Sequence, residues 1–269
     1  MADLLTHAEW FAQVPALLAE TAASWGLTLG EAYPSGAAGH AVRAALPDGT
    51  PAVLKLSNPH RESLREADAL ERWDGDGAVR LLDRDDARNA MLLERCEPGT
   101  FLSRSADALD VLIGLLPRLW KSGAGFPTLE DEASIWADEI AREVQDETLR
   151  DAALHYLRVL PSTQGEQVLL HQDLHGDNVL AAQREPWLVI DPKPLAGERE
   201  LSVAPIVRSN ELGHGKRAVL HRLDRVTAEL GLDRERALGW TVAQTVAWSA
   251  GRDWIEPHVQ AVRWLLEDT

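Results

Sequence analysis

The chain of 269 residues is poor in cysteine and has no long apolar run. Its single cysteine, Cys96, excludes an internal disulfide and is compatible with a reducing compartment. No stretch approaches the roughly eighteen consecutive apolar residues that make a segment a candidate for crossing a membrane. The N-terminus lacks the basic region and following apolar region of a secretory signal peptide. These absences predict a cytoplasmic protein with no membrane partner.

Positive charge is also scarce. The chain has 27 lysines and arginines against 43 aspartates and glutamates, a formal net charge of -16. A nucleic-acid partner would need a basic face, so this balance argues against one. Strong acidity suits a cationic small substrate through electrostatic steering, although acidic surfaces also simply keep proteins soluble. No internal repeat is visible, and the length and apolar content suit one compact unit or two small lobes.

Reactive side chains concentrate in residues 171–178, which read His-Gln-Asp-Leu-His-Gly-Asp-Asn, and Asp191 follows thirteen positions after Asn178. Asp173 can orient and deprotonate a substrate hydroxyl. Asn178 and Asp191 offer the hard oxygen ligands that Mg²⁺ takes between ATP phosphates. The spacing His-x-Asp-x-x-x-x-Asn is that of the catalytic loop of kinases. The segment therefore predicts a phosphoryl-transfer site.

Short apolar runs flank this loop. Residues 168–170 lead into it, residues 179–181 leave it, and residues 187–190 deliver Asp191 just before Pro192. The alternative is a polar turn between two core strands, which the complete set of groups at this spacing makes improbable.

Three other polar residues lie in or near this loop. We interpret His171 as support for the loop. His175 faces either phosphate or solvent, and Lys193 is either a phosphate contact or a surface cation.

The apolar run 51–56 contains one cation, Lys55, which is costly in such a strand unless it has a partner. Eleven residues later Glu66 lies in residues 63–70, a helical pattern. We predict that the two form the ion pair that holds the lysine against the ATP phosphates. The alternative is an edge-strand lysine and a solvated glutamate.

Ahead of Lys55, residues 34–40 are small and include Gly36 and Gly39, which let the backbone approach phosphates closely. The loop lacks the full Gly-x-Gly-x-x-Gly pattern, so an ordinary hairpin loop stays open. Strands are predicted at residues 27–33, 40–46, 51–56, 79–82 and 91–93, and helices at 109–120, 135–144, 152–160, 216–230, 234–249 and 257–266.

The chain resembles the aminoglycoside phosphotransferase family, and more narrowly the aminoglycoside/hydroxyurea antibiotic resistance kinases, which include streptomycin 6-phosphotransferases. The resemblance extends from about residue 27 to the end of the chain. It is carried by residues 62–82, 92–99, 170–180 and 189–210. The Asp-Pro-Lys block at 191–193 stands where protein kinases have Asp-Phe-Gly, which argues against a protein kinase.

This resemblance implies an α+β, two-lobed protein-kinase-like fold, with a β-rich N-lobe over residues 1–95 and a mostly helical C-lobe over residues 96–269. It implies that ATP and Mg²⁺ bind in the cleft. We also expect a monomer. The segment 93–99, with Glu94 and Cys96, would hydrogen-bond adenine through its backbone. Cys96 is interpreted as a packing residue.

The resemblance further implies transfer of the γ-phosphate to an aminoglycoside hydroxyl, the 6-hydroxyl of streptomycin above others, which inactivates the antibiotic. Streptomycin carries guanidinium groups, which prefer paired carboxylates and aromatic faces. The candidate acceptor residues are Asp253, Trp254, Glu256 and Glu211. The alternatives are a kinase of another small alcohol, of fructosamine, choline or other antibiotic type, and a nucleotide-binding scaffold without catalysis.

Overall fold

The computed structural model of the chain describes residues 7–34, 39–251 and 254–268. The chain divides into two compact units. The first comprises Met1–Thr100 and Leu180–Lys193, and the second comprises Phe101–Val179 and Pro194–Thr269. The sequence predicts a boundary between residues 95 and 96. In the structure, the segment Leu180–Lys193, which contains Asp191, belongs to the first unit, although it follows residues 171–178 along the chain.

The first unit is built on an antiparallel five-stranded sheet with strand order β1-β2-β3-β5-β4. Its elements are α1 (His7–Trp25), β1 (Thr28–Ala32), β2 (Gly39–Ala45), β3 (Pro51–Ser57), α2 (Glu66–Trp73), β4 (Leu81–Asp85) and β5 (Ala90–Glu94). Trp10 and Val14 of α1 join a core with the buried faces of β2, β3 and β5. Helix α1 thus covers the sheet, and the sequence analysis did not predict it.

Two predicted elements of this unit begin later than expected. Helix α2 begins at Glu66 rather than at residue 63, and Leu64 lies in the preceding turn with about half of its surface exposed. Strand β4 begins at Leu81 rather than at residue 79. Val79 instead donates its backbone N–H to the carbonyl of Val189 at 3.0 Å. That bond attaches the late segment of the chain to this unit.

The late segment forms a hairpin of β7 (Val179–Ala181) and β8 (Trp187–Val189). Val189 also donates to the carbonyl of Gly77 at 2.9 Å, and it pairs in parallel with Ala78. Strand β8 is buried at Leu188 and Val189. The chain therefore leaves a fixed strand immediately before Asp191, as the apolar run 187–190 predicts.

The second unit is mostly helical. Its helices are α3 (Ala108–Leu119), α4 (Leu129–Glu143), α5 (Glu147–Val159), α6 (Ala204–Arg208), α7 (Lys216–Leu230), α8 (Arg234–Ser249) and α9 (Glu256–Leu266). Helix α8 is buried almost all round and packs against α4, α5, α6, α7 and α9. In the part of the chain that the structure describes, no helix is both long enough and apolar enough to cross a membrane.

A short antiparallel ladder of β6 (Gln167–Leu170) and β9 (Leu195–Glu198) completes this unit. Glu198, at the end of β9, is fully buried and binds the Arg236 guanidinium through both carboxylate oxygens, at 2.7 and 2.9 Å. The indole N–H of Trp240 donates to the same carboxylate. The ion pair joins β9 to α8, and β6 then delivers the chain into residues 171–178.

Candidate active site

Strand β3 places Lys55 between Ala41 of β2 and Met91 of β5. Its ammonium donates to Glu66 Oε1 at 2.5 Å and to Asp191 Oδ1 at 2.5 Å. The lysine side chain is 14% exposed and that of Glu66 is 2% exposed. The ion pair predicted between Lys55 and Glu66 is present, and the structure adds Asp191 as a second partner of the same cation.

The electrostatics of this triad follow from burial. Burial alone would lower the pKa of Lys55, but the charges of Asp191 and Glu66 outweigh it and raise the pKa above its ordinary value. Burial raises the pKa of Glu66, and the Lys55 ammonium offsets part of that rise. Ser57 also donates its hydroxyl to Glu66 Oε2 at 3.2 Å. The lysine is therefore a fixed, fully charged cation at neutral pH.

Backbone strain marks two positions of the candidate site. Asp191 has φ 58° and Gln172, which precedes Asp173, has φ 62°. The left-handed region costs a residue with a side chain roughly 1–3 kcal/mol, and such residues cluster at functional sites. In each case the strained residue is next to, or is itself, a carboxylate of the predicted site.

A cavity of about 200 Å³ lies beside the triad in the first unit. Its lining residues are Asn58, His60, Glu62, Ser63, Glu66, Asp191, Pro192 and Lys193. Lys193 therefore stands at a cavity next to Asp191. Its contact with phosphate stays a prediction.

Of the two candidate glycines, only Gly39 lies in the described residues, because Gly36 falls in the segment 35–38. Gly39 is the first residue of β2 and pairs with Ser57. A Cβ at this position would stand 3.0 Å from the carbonyl oxygen of Leu56 and 3.4 Å from Cε of Lys55. A side chain here would therefore crowd the lysine strand, which explains the glycine without reference to a ligand.

The linker residue Glu94 is paired within the first unit, and Cys96 is a half-buried free thiol. The Glu94 carboxylate binds Arg184 Nε and Nη2 at 2.9 Å, and Arg184 Nη1 donates to the carbonyl of Gly75 at 2.8 Å. Burial and the Glu94 charge raise the pKa of the Cys96 thiol to about 12. The thiol is therefore neutral at physiological pH, as a packing residue would be, and adenine binding by this backbone stays a prediction.

In the second unit, the loop 171–178 is held by its own side chains. The buried His171 accepts the backbone N–H of Asp173 through Nδ1 at 3.2 Å. The Asn178 amide donates through Nδ2 to the carbonyl of Asp173 at 2.8 Å. Gly176 approaches Ser103 so closely that a Cβ would lie 2.8 Å from the Cα of Ser103. His171 thus supports the loop, as the sequence suggests.

The Asp173 carboxylate has a partner that the sequence analysis missed. Arg208, which is 5% exposed, donates through Nη2 to Asp173 Oδ1 at 3.3 Å and through Nη1 to Gln244 Oε1 at 2.6 Å. Gln244 in turn donates to the carbonyl of Gln172 at 3.1 Å. An arginine that ends the apolar run 203–207 was the available signal, since a buried cation requires a partner.

Glu211, a predicted acceptor residue, contacts the loop 171–178. Its Oε1 lies 3.1 Å from His175 Nδ1 and accepts the backbone N–H of Gly176 at 3.2 Å. Burial would raise the pKa of Glu211, but its hydrogen bonds, that with His175 foremost, outweigh it and lower the pKa to about 2. The carboxylate is therefore ionised and hydrogen-bonded to the loop. His175 faces Glu211 and is not simply solvated.

The other candidate acceptor residues lie before and in α9, and Asp253 falls outside the described residues. Trp254 is 48% exposed, and its indole N–H donates to Glu256 Oε2 at 2.7 Å. The Arg263 guanidinium lies 6.0 Å from the centre of the Trp254 ring. An exposed aromatic with a carboxylate is therefore present, with a guanidinium of the chain over the ring.

The donor types of the two residues predicted to bind the metal suit Mg²⁺ of a nucleotide. In the second unit, the Asn178 amide donates through Nδ2 to the carbonyl of Asp173, so its amide oxygen is the group of the type that Mg²⁺ takes. In the first unit, Asp191 offers a carboxylate. Within the described residues, no three side chains of His, Cys, Asp or Glu are grouped to hold a metal. Mg²⁺ bound with nucleotides typically takes one or two protein ligands and completes its shell with phosphates and water. An amide oxygen and a carboxylate are protein ligands of that kind.

The chain matches the family described as aminoglycoside/hydroxyurea antibiotic resistance kinase over residues 25–254, well over half its length. It is 40% identical over 248 residues to the streptomycin 6-kinase of Streptomyces glaucescens, covering 86% of this chain and 80% of that protein. It is 38% identical over 256 residues to the hydroxyurea phosphotransferase of Kitasatospora aureofaciens, covering 88% of this chain and 73% of that protein.

The structure is similar to that of a thermostable variant of aminoglycoside phosphotransferase APH(4)-Ia, solved in a ternary complex with AMP-PNP and hygromycin B. The TM-score is 0.64 at 15% sequence identity, with 95% of each chain covered. At that identity the likeness shows the fold alone. The predicted two-lobed, protein-kinase-like α+β fold is confirmed.

Proposed function

Because the chain belongs to the aminoglycoside/hydroxyurea antibiotic resistance kinase family, we propose that it is an ATP-dependent phosphotransferase acting on an aminoglycoside hydroxyl. The family resemblance stated from the motifs is confirmed by the match and by relatives named as kinases and phosphotransferases. A non-catalytic scaffold is thereby set aside. The observation that carries the proposal is the triad of Lys55, Glu66 and Asp191 in one unit together with the Asp173 loop in the other.

In the proposed reaction, Asp173 accepts the hydrogen bond of the acceptor hydroxyl and takes its proton as the oxygen attacks the γ-phosphorus. The new O–P bond forms while the bond from the γ-phosphorus to the bridging oxygen breaks, and ADP leaves. Lys55, oriented by Glu66, would bind the α- and β-phosphates. The power of such a site comes mainly from positioning and charge neutralisation.

We assign Asn178 and Asp191 to the metal of the nucleotide. Mg²⁺ would supply charge neutralisation on the phosphates there. Asp191 pairs with Lys55 through Oδ1 in this structure, so its carboxylate would be shared between the ammonium and the metal. Backbone groups near Gly39, Glu94 and Cys96 remain the proposed nucleotide contacts. Gly36 lies outside the described residues and is proposed as a nucleotide contact from the sequence alone.

The acceptor that we propose is streptomycin, phosphorylated on its 6-hydroxyl. Support comes from the 40% identical relative named streptomycin 6-kinase and from the net charge of -16. Trp254 and Glu256 could receive a guanidinium through an aromatic face and a carboxylate. Asp253 lies outside the described residues and is proposed as an acceptor contact from the sequence alone.

Hydroxyurea is the second candidate acceptor. The 38% identical relative named hydroxyurea phosphotransferase favours it specifically, and that match covers 88% of this chain against 86% for the streptomycin 6-kinase. Hydroxyurea is small and neutral, so it would gain nothing from a cation-binding subsite. The two candidates therefore differ in a property that kinetics can measure.

A coupled ADP-release assay tests the proposal. The panel contains streptomycin, other aminoglycosides, hydroxyurea, choline and a fructosamine, each with ATP and Mg²⁺, and mass spectrometry follows each product. We expect streptomycin to gain the mass of one phosphate, with the phosphate on the 6-hydroxyl by NMR. Efficient transfer to hydroxyurea and none to streptomycin would replace the acceptor. If no acceptor of the panel causes ADP release, the assignment of an aminoglycoside acceptor is itself overturned.

A further inference from the structure

We propose that Arg208 and Glu211 are positioning residues that hold the loop 171–178 at two points, and that Arg222 fixes the segment that carries them. The inference rests on the proposed function for its kinetic consequence, because a carboxylate must be held to activate a hydroxyl. It assigns Glu211 to the loop rather than to the acceptor. All the residues involved lie in the second unit.

Arg208 holds the loop at Asp173. Its guanidinium reaches the Asp173 carboxylate at 3.3 Å and, through Gln244, the backbone carbonyl of Gln172. It lies 5.1 Å from the centre of the Trp248 ring, which supports the cation from one face. Burial lowers the pKa of Arg208, partly offset by the charges of Asp173 and Glu211. An arginine kept at that cost needs its carboxylate partner.

Glu211 holds the loop three residues further along the chain from Asp173. One oxygen of its carboxylate meets both the imidazole of His175 and the backbone N–H of Gly176. Gly176 begins the short 3₁₀ turn that ends at Asn178. Arg208 and Glu211 are three positions apart in sequence. A single segment therefore holds the loop both at Asp173 and at the turn that ends in Asn178.

Arg222 of α7 holds that segment. Its guanidinium donates to the carbonyl of Val207 through Nε and Nη2, at 3.2 and 2.8 Å. It donates through Nη1 to the carbonyls of Leu212 and Gly213, at 3.1 and 2.6 Å. These carbonyls stand on either side of residues 208–211. Burial lowers the pKa of Arg222 to about 10, so the group still carries its charge at neutral pH.

The physical need for such holding lies in the loop itself. Gln172 adopts φ 62°, a conformation that persists only when the surroundings determine it. A displacement of about 1 Å at a reacting group costs roughly 100-fold in rate. A loop with a strained residue next to its base would relax if its outer contacts were removed. Arg208 and Glu211 supply such contacts to it from α6 and the turn that follows.

Steady-state kinetics of substituted enzymes test the roles. We expect Arg208→Ala and Glu211→Ala to lower kcat by about 100-fold, with the acceptor KM and the ATP KM changed far less. Arg208→Lys should recover little, since an ammonium cannot reach Asp173 and Gln244 together. Glu211→Gln should recover part of kcat, because its amide oxygen can still accept from Gly176. Arg225→Ala and Glu229→Ala, an exposed pair on α7, serve as matched controls.

The opposite kinetic pattern would overturn the proposal. If Glu211→Gln and Glu211→Ala raise the acceptor KM equally and leave kcat unchanged, Glu211 binds the acceptor directly. If Arg208→Ala and Arg208→Lys match Arg225→Ala in kcat, Arg208 is only a core residue. Thermal unfolding identifies any variant that fails to fold. If an alanine variant fails, the kinetics of Arg208→Lys or Glu211→Gln decide the role of that residue.

Hydrogen exchange read by mass spectrometry separates this inference from the proposed function. In the enzyme without ligands, we expect the peptide covering 170–178 to exchange at least about tenfold faster in Glu211→Ala and Arg222→Lys than in Arg225→Ala. Faster exchange in an enzyme that phosphorylates no acceptor of the panel would leave the positioning role standing and the function refuted. Unchanged exchange would refute the positioning role whatever the activity.

Discussion

At the scale of single residues, one buried cation in the first unit is shared by two carboxylates. Lys55 lies 2.5 Å from both Glu66 and Asp191. A buried ion pair costs desolvation that good geometry must offset, so it is weak evidence for stability. Its presence next to a cavity is better explained by a function, and phosphate binding is the function that we propose for it.

We expect Lys55→Ala to lower kcat/KM for ATP by roughly 10- to 100-fold, the worth of one or two hydrogen bonds to a charged group. Glu66→Ala should have a milder effect in the same direction, because it only frees the lysine. Initial-rate kinetics with varied ATP measure both. Lys216→Ala, which removes an exposed lysine paired with Glu267, is the control. Equal kinetics in all three variants would place the nucleotide elsewhere.

Asp173 carries the sharpest prediction at this scale. We expect Asp173→Ala and Asp173→Asn to lower kcat by roughly 10²- to 10⁴-fold, the range of general-base catalysis. The dissociation constant of ADP should stay within about twofold, because no nucleotide contact is lost. Turnover and isothermal titration give the two values. Asp224→Ala, an exposed carboxylate of α7 paired with Arg234, is the control. Near-normal turnover in Asp173→Asn would remove this residue from the base role.

At the scale of elements, side-chain caps determine where three helices of the second unit begin. Thr128 caps α4, Asp146 caps α5 and Asp233 caps α8, each through a hydrogen bond to a backbone N–H of the first turn. Helix N-termini leave such groups unpaired, and a cap satisfies them. Since α8 packs against α4 and α5, these starts also fix the helices around the ion pair of Glu198.

The Asp146 cap has a measurable pH signature. A hydrogen bond from the Leu149 backbone, with a further contribution from Arg263, lowers the pKa of Asp146 against the effect of burial. A carboxyl whose folded-state pKa is lowered stabilises the fold fully above its unfolded pKa, about 3.9, and loses that contribution as pH falls through the folded value.

We therefore expect Asp146→Ala to cost about 1 kcal/mol of unfolding free energy at pH 7. The difference from wild type should shrink once the pH falls below about 4. Urea unfolding followed by tryptophan fluorescence at a series of pH values measures it. Asp151→Ala, an exposed carboxylate within the same helix, should cost little at any pH. A cost that grows on acidification would contradict the sign.

At the scale of the whole molecule, charge is the dominant property. A net charge of -16 creates a field that attracts cations and repels anions such as ATP, apart from local cations like Lys55. The range of this field is set by salt, since the Debye length falls from about 30 Å at 0.01 M to about 3 Å at 1 M ionic strength. The attraction of a cationic acceptor to the acidic surface therefore acts over a longer distance at 0.01 M than at 1 M ionic strength.

We expect added salt to raise KM for streptomycin more than it lowers kcat, because screening weakens attraction of a cation before it affects chemistry. Initial rates at several ionic strengths, kept at constant Mg²⁺, measure the two constants. A neutral acceptor from the panel serves as the comparison and should show no such rise in KM. A KM for streptomycin that is independent of salt would count against steering by the acidic surface.

The local structure of the two candidate segments was predictable from the sequence because it depends on neighbouring residues. The spacing from His171 to Asn178 sets a loop whose members contact one another, and the apolar runs around it predict β6, β7 and β8. The ion pair of Lys55 and Glu66 followed from a cation in an apolar strand. Helix α1 was not predicted, although Trp10, Val14, Leu17 and Leu18 have helical spacing and α1 covers the sheet.

Other features depended on tertiary structure alone. Nothing in local spacing tells that Arg208 reaches Asp173, that Glu211 bonds to Gly176, or that Asp191 shares the lysine of β3. These contacts join residues 35, 35 and 136 positions apart. Sequence patterns report which side of one element is buried, whereas the partner of a buried charge is set by how elements pack. Residue types and spacing therefore determined the reaction class, and packing alone decided which residues hold its groups in place.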